Sequence, residues 1–128
     1  MEARFLTELS AHLKGNCIWV LDAPLMFYSA EQDYIFTVPV GFHTDLASVP
    51  RVPLIYEAWG NRVHREAVLH DYAYRIGVGL SFDGANRLFL EAMTSRGVPD
   101  WIKTPMYEAV CAAGLSSYHK LGVNAALT

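Results

Sequence analysis

The chain has 128 residues, of which 52% are hydrophobic, 12% aromatic and 18% charged. Those proportions exclude an intrinsically disordered chain, which would be charge-rich and poor in aromatics, and the length suits one domain, residues 1–128, able to bury about two thirds of its unfolded surface. Ten Lys plus Arg against thirteen Asp plus Glu leave a formal charge of −3 with no basic cluster, so nucleic acid is not an expected partner.

Taken in order, residues 4–9 (Arg4-Phe5-Leu6-Thr7-Glu8-Leu9) alternate loosely and read as an edge strand, with a short helix through Leu13 as the alternative. Cys17-Ile18-Trp19-Val20-Leu21 is a β-branched and aromatic run, continued after Pro24 by Leu25-Met26-Phe27-Tyr28. Tyr34-Ile35-Phe36-Thr37-Val38 is a further strand, and the turn-forming residues 29–33 between the last two predict a hairpin. The period then changes. Val63, Ala67, His70 and Tyr74 lie on one face of a helix that Gly77 can stop. Ser81 can cap a second helix, with Ala85, Leu88, Phe89, Ala92 and Met93 as its inward stripe and an end near Arg96-Gly97. Thr104-Pro105 reads as the cap and first turn of a third helix. Its small residues (Ala109, Cys111, Ala112, Ala113, Ser116, Ser117) suggest close packing, and Gly114 marks a close contact or a helix end. The predicted class is α+β: a small antiparallel sheet in the N-terminal third, followed by three packed helices.

Cys17 and Cys111 belong to no CxxC pair and read as small core residues, a bridge between them remaining open. No apolar run reaches the ~18 residues that cross a bilayer; the longest, residues 17–28, is broken by Asp22 and Pro24. The first residues, Met1-Glu2-Ala3-Arg4-Phe5, lack the form of a signal peptide, so synthesis in a cytoplasm without export is expected.

Two constellations can carry chemistry. In Val68-Leu69-His70-Asp71-Tyr72-Ala73-Tyr74, helical spacing stacks His70 on Tyr74 and turns Asp71 about 100° away. One reading makes His70 a general base with Asp71 holding a cation; the other makes His70 a hydrogen-bonded core histidine and pairs Asp71 with Arg75. The second constellation runs from Gly41 through Phe42, His43, Thr44, Asp45 and Ser48 to Arg51. Asp45, Ser48 and Arg51 facing His70 would form a substrate or anion pocket, whereas the alternative is a capped turn with Arg51 bound to Asp45. The five histidines form no HxxxH, HxH or HExxH pair. A divalent metal, calcium or zinc, would have to be assembled across the fold from Asp71 and Asp45, with His43 and His70 as further donors. No GxGxxG, Walker or GxSxG pattern occurs. Tyr56, Trp59 and Trp101 are candidates for an exposed aromatic docking surface.

The order of Val38-Pro39-Val40-Gly41-Phe42, Thr44-Asp45-Leu46-Ala47-Ser48-Val49-Pro50-Arg51, His70-Asp71 with Tyr74, and Arg87-Leu88-Phe89-Leu90-Glu91-Ala92-Met93 resembles a family of small proteins of unknown function from tailed bacteriophages and prophages. The resemblance spans about residues 19–114 and rests most on the TDLASVPR run. It implies a viral protein made in the host cytoplasm, with virion or tail proteins as partners, and assigns no activity. Within it, His70-Asp71-x-x-Tyr74 resembles the active-site helix of secreted phospholipases of the A2 class. That similarity implies His70 as water-activating base, Asp71 as calcium ligand, and Tyr74 supporting a second acidic residue that orients the base. At that last position this chain has Asn86, and it lacks the glycine-rich calcium loop and the flanking disulfides. Two functions stay open: a hydrolase of the host envelope, acting on lipid or peptidoglycan, and a non-enzymatic virion or tail-associated structural or assembly protein.

Overall fold

The computed structural model describes residues 1–15, 18–44, 63–76 and 79–113. Among these, β1 (Arg4–Phe5), β2 (Ala11–Leu13), β3 (Trp19–Leu21), β4 (Leu25–Ser29), β5 (Tyr34–Val38) and β6 (His43–Thr44) precede α1 (His64–Ile76), α2 (Phe82–Ser95) and α3 (Asp100–Ala113). The class is α+β, as expected. The edge strand expected over residues 4–9 is β1, and residues 11–13, where the helical alternative would have run, form β2.

The strands divide into two antiparallel sheets rather than the single sheet that the sequence suggested, with orders β1-β4-β5 and β2-β3-β6. The division falls between Leu21 and Leu25. Pro24 has no N–H to offer a ladder, and the Asp22 carboxylate is held by His12 Nδ1 at 2.6 Å, so the chain leaves β3 there and enters the other sheet as β4. In the β4–β5 hairpin, Leu25 pairs with Val38 and Phe27 with Phe36, and these four apolar residues all point inward and are buried. The turn closes through Asp33 at φ +49°, a left-handed conformation that Asp tolerates, and the Tyr28 hydroxyl donates to its carboxylate at 2.8 Å.

Helix α2 follows the sequence closely. Ser81 caps it by accepting from the Gly84 N–H, and all five residues of the expected inward stripe are buried. At its end Gly97, at φ +75°, lets the Gly97 and Val98 amides turn back to the Thr94 and Met93 carbonyls, while Val98 packs beside Met93.

Helix α3 departs from expectation at its start. It begins at Asp100, so Thr104 is no cap and Pro105 lies inside the helix. A proline there costs about 3 kcal/mol or more, and the bond it removes is the one to the carbonyl of Trp101, an exposed residue. Burying Ile102, Met106 and Val110, at about 1.5–3 kcal/mol each, outweighs that cost. These large residues make the packed stripe, whereas Ala109 and Cys111 are half-buried and Ala112 is exposed. The small residues therefore do not form the contact face along the described part of the helix. Cys17, Gly77, Gly114, Ser116 and Ser117 lie outside the described residues.

Two apolar clusters meet on α1 and α2. One joins Leu21, Leu25, Phe27, Phe36 and Val38 of the strands to Val68, Leu69, Tyr74, Ala85 and Leu88. The other joins Val63 and Ala67 to Phe89, Met93 and the α3 stripe. Helix α1 is thus covered on most of its circumference, which puts its polar residues in the interior: Glu66, His70 and Asp71 are all buried.

Candidate functional site

Helix α1 presents two polar faces to two different partners. Val63, Ala67, His70 and Tyr74 recur at helical spacing, as the sequence predicted, and this face meets α2 and α3. The adjoining face carries His64, Val68, Asp71 and Arg75 and meets the sheet at β6.

On the first face the His70 ring, fully buried, packs against Tyr74 and Phe89, with centroids 4.0 and 4.8 Å away. Its Nε2 lies 2.8 Å from the Asn86 Oδ1, and the same oxygen accepts the Tyr74 hydroxyl at 2.5 Å. An amide oxygen only accepts, so the His70 proton sits on Nε2 and the lone pair of the neutral ring on Nδ1. Both lone pairs of the Asn86 oxygen are then engaged, while its Nδ2, also buried, has no hydrogen-bond partner. Burial pushes the His70 imidazole down to about 4, with the Asn86 bond acting weakly the other way. The histidine is consequently neutral at neutral pH.

On the second face Asp71, also buried, accepts the Thr44 hydroxyl on Oδ2 at 2.5 Å, and Arg75 Nη1 stands 3.5 Å from the same oxygen. Arg75 also donates to the His43 carbonyl and lies over the Phe42 ring, 4.9 Å from its centroid. Asp71 thus pins α1 to β6, and the Arg75 pairing expected from i,i+4 spacing is present. Among the described residues, the side chain of Asn86 is a hydrogen-bond partner of the His70 ring.

Of the residues singled out in the sequence, the structure brings His70, Tyr74 and Asn86 into one hydrogen-bonded group and places Asp71 on the neighbouring face. Asp45, Ser48 and Arg51 lie outside the described residues, as do Tyr56 and Trp59. Trp101, the remaining aromatic candidate, is 62% exposed. Among the described residues, no group of three or more His, Cys, Asp or Glu side chains could hold a metal ion, and no helix is long and apolar enough to cross a membrane. The sequence put Phe89 in the inward stripe of α2 and Thr44 in the second constellation, but linked neither to His70 or Asp71. The position of Thr44, two residues after Phe42 in an alternating stretch, is the signal that would have placed both on one side of a strand.

Residues 19–110 match the family model described as protein of unknown function, DUF1353, a span holding His70, Asp71, Tyr74 and Asn86. No curated protein and no solved structure matches the chain. The matched span runs from β3 to near the end of α3, and the chain belongs to the DUF1353 family of proteins of unknown function.

Proposed function

We propose that this DUF1353 protein is a bacteriophage hydrolase of the host envelope in which His70 activates water. The observation that carries the reading is the shared acceptor: the Asn86 oxygen takes both the Tyr74 hydroxyl and the His70 Nε2–H, fixing the tautomer that puts a basic lone pair on Nδ1. A histidine held neutral by burial carries an unprotonated ring nitrogen across the neutral pH range. Asp71, one residue on and turned to the adjoining face, is the candidate for holding a divalent cation or the polar end of a substrate, with Asp45, Ser48 and Arg51 as further candidates from the sequence. The envelope as target, and lipid before peptidoglycan, follows from the resemblance of the helix to that of the phospholipases. A phage protein of this kind would be made in the host cytoplasm and meet the envelope at entry or lysis.

The direct test incubates the purified protein with phosphatidylglycerol–phosphatidylethanolamine vesicles, and separately with peptidoglycan sacculi, with calcium, zinc or a chelator. Release of fatty acid or of muropeptides, abolished in His70→Gln, is the expected result. Neither product above the His70→Gln background would overturn the reading.

A second reading is favoured by one observation. Asp71 is engaged by Thr44 and near Arg75, and His70 has no exposed surface, as befits groups that lock a fold. On that reading the chain is a structural or assembly protein of the virion or tail. Its recovery at stoichiometric copy number in purified virions, with infectivity unaffected by His70→Gln, would support it.

A further inference from the structure

Strand register builds a small apolar chamber on the Asp71 side of α1. Ala11 pairs with Leu21, Leu13 with Trp19, and Trp19 with Thr44, so Ala11, Trp19 and Thr44 share one face of the β2-β3-β6 sheet. His64 and Val68, one turn apart on α1, stand opposite that face, and Leu9 closes one side. Between them is a cavity of about 140 Å³ lined by Leu9, Ala11, Trp19, Thr44, His64 and Val68. Its size is close to that of the ~150 Å³ apolar cavity that holds a benzene-sized molecule, about six carbons. Four of the six described lining side chains are apolar, which favours an apolar guest over water.

The polar members indicate which part of a ligand it suits. The Thr44 hydroxyl is committed to Asp71 at 2.5 Å, so the chamber adjoins the Asp71 side of the candidate site. Burial pushes the His64 imidazole down, leaving it uncharged at neutral pH. Among the described lining residues there is thus no fixed cation for an anionic head. Trp19, 38% exposed, keeps part of its ring in solvent and so lies at the open side.

We infer that this chamber binds the end of an unbranched hydrocarbon tail, about six carbons long, of an amphiphile whose polar head remains outside it towards Trp19 or the Asp71 side. Tail binding by itself requires no hydrolysis. Only the identification of the tail as part of a substrate rests on the hydrolase reading. The chemistry is shared by free fatty acids and by membrane phospholipids.

The test uses the full chain with methyl-labelled Ala, Leu and Val, titrated with octanoate, which has no bond for a hydrolase to cleave, and separately with dihexanoylphosphatidylcholine monomers. Saturable shifts are expected at the Leu9, Ala11 and Val68 methyls and the Trp19 indole, with the other core methyls unmoved. Ala11→Leu, which fills the chamber from the sheet side, is expected to weaken binding at least tenfold without lowering the midpoint of thermal unfolding. Stronger binding of the phosphatidylcholine would identify a phospholipid tail, and stronger binding of octanoate a free fatty acid. Either preference supports the site. Absence of saturable shifts with both probes, or unchanged affinity in folded Ala11→Leu, would overturn it. Because octanoate cannot be hydrolysed, tail binding with release of neither fatty acid from vesicles nor muropeptides from sacculi would sink the hydrolase reading and leave the chamber standing.

Discussion

His70 Nε2 and Asn86 Oδ1 lie 2.8 Å apart, joining α1 to α2 through a bond between side chains that are both wholly buried. The pairing sets the tautomer of the histidine and is reinforced by the Tyr74 hydroxyl on the same oxygen. An amide in this position orients the ring but, being neutral, does little to hold a proton on it. The low proton affinity of His70 is the consequence of burial, which the bond to the neutral Asn86 amide does not offset.

Replacing the amide by a carboxylate changes the second property and keeps the first. Asn86→Asp is expected to raise the His70 pKa from about 4 by at least about one unit, since an anion on Nε2 favours the imidazolium by roughly 1.4 kcal/mol per unit. It also removes the buried Nδ2 that lacks an acceptor. The His70 ring-proton resonances followed by NMR across pH 3–8 measure the shift. An unmoved titration would show that the residue at position 86 does not govern the histidine. Under the proposed hydrolase function, the same variant should also turn over vesicle lipid faster at neutral pH.

The depressed pKa makes stability pH-dependent with a definite sign. The folded state keeps His70 neutral down to about pH 4, whereas the unfolded chain binds the proton near 6.5. Between those values the unfolded state carries more protons, so the contribution is full above pH 6.5 and is lost as pH falls towards 4, to the extent of about 3 kcal/mol. Urea unfolding at pH 7 and pH 4.5 measures it. Comparison with His70→Gln, whose slope should be flatter by that amount, separates His70 from Glu66, whose carboxyl is pushed up by burial and acts with the opposite sign. Equal slopes in the two proteins would show that His70 titrates normally.

Much of this arrangement could be read from the residues, for particular physical reasons. The α2 stripe and its Ser81 cap are local: a 3.6-residue period and one hydroxyl suffice, and both appear where expected. The β4–β5 hairpin is likewise local, its alternation long enough to see. The division into two sheets was not legible because β1, β2, β3 and β6 have only two or three residues each, too few to establish a period. The start of α3 was misplaced because Thr104-Pro105 has the form of a helix start. Nothing local reveals that Ile102 is wholly buried one turn earlier. Asn86 came to notice through resemblance and not through spacing, since a contact across sixteen residues and two helices leaves no periodic trace. The link from Thr44 to Asp71 is of the same kind.

Glu66 and Arg96 give a further prediction. The Glu66 side chain is wholly buried, and the Arg96 guanidinium donates to both its oxygens at 2.8 and 3.3 Å, tying α1 to the end of α2. Burial pushes the Glu66 carboxyl up more strongly than Arg96 draws it down. Arg96→Met would strand a carboxylate in the interior, at a cost of about 3–5 kcal/mol at pH 7. At pH 5 the carboxyl can take up a proton instead, so the deficit should shrink. Glu66→Gln in the same background should recover part of the loss. A pH-independent deficit smaller than about 1 kcal/mol would show that the pair acts as an ordinary surface bridge.

Glu91 fastens the β4–β5 turn to α2, and its removal should loosen both. Its carboxylate accepts the Ser29 hydroxyl at 2.6 Å and the Glu31 amide at 3.0 Å, and the Ser29 oxygen in turn accepts the Gln32 amide at 3.1 Å. Ser29 is fully buried and Glu91 nearly so, so these groups have little water to turn to when a partner is lost. Hydrogen bonds to a charged acceptor contribute about 1.5–3 kcal/mol each, and Glu91→Ala deletes two while leaving the Ser29 hydroxyl stranded. A loss of about 3–6 kcal/mol is expected from urea unfolding. Ser29→Ala, which removes one bond to Glu91 and the acceptor for Gln32 but leaves the Glu31 amide on the carboxylate, should cost less. The exposed Arg87–Glu31 bridge beside them cannot compensate, because exposed pairs contribute only about 0–1 kcal/mol. Faster amide exchange in residues 29–34 of Glu91→Ala, with α3 unaffected, would place the loss at this turn. Uniform acceleration across the chain would mean instead that the clamp supports the whole fold.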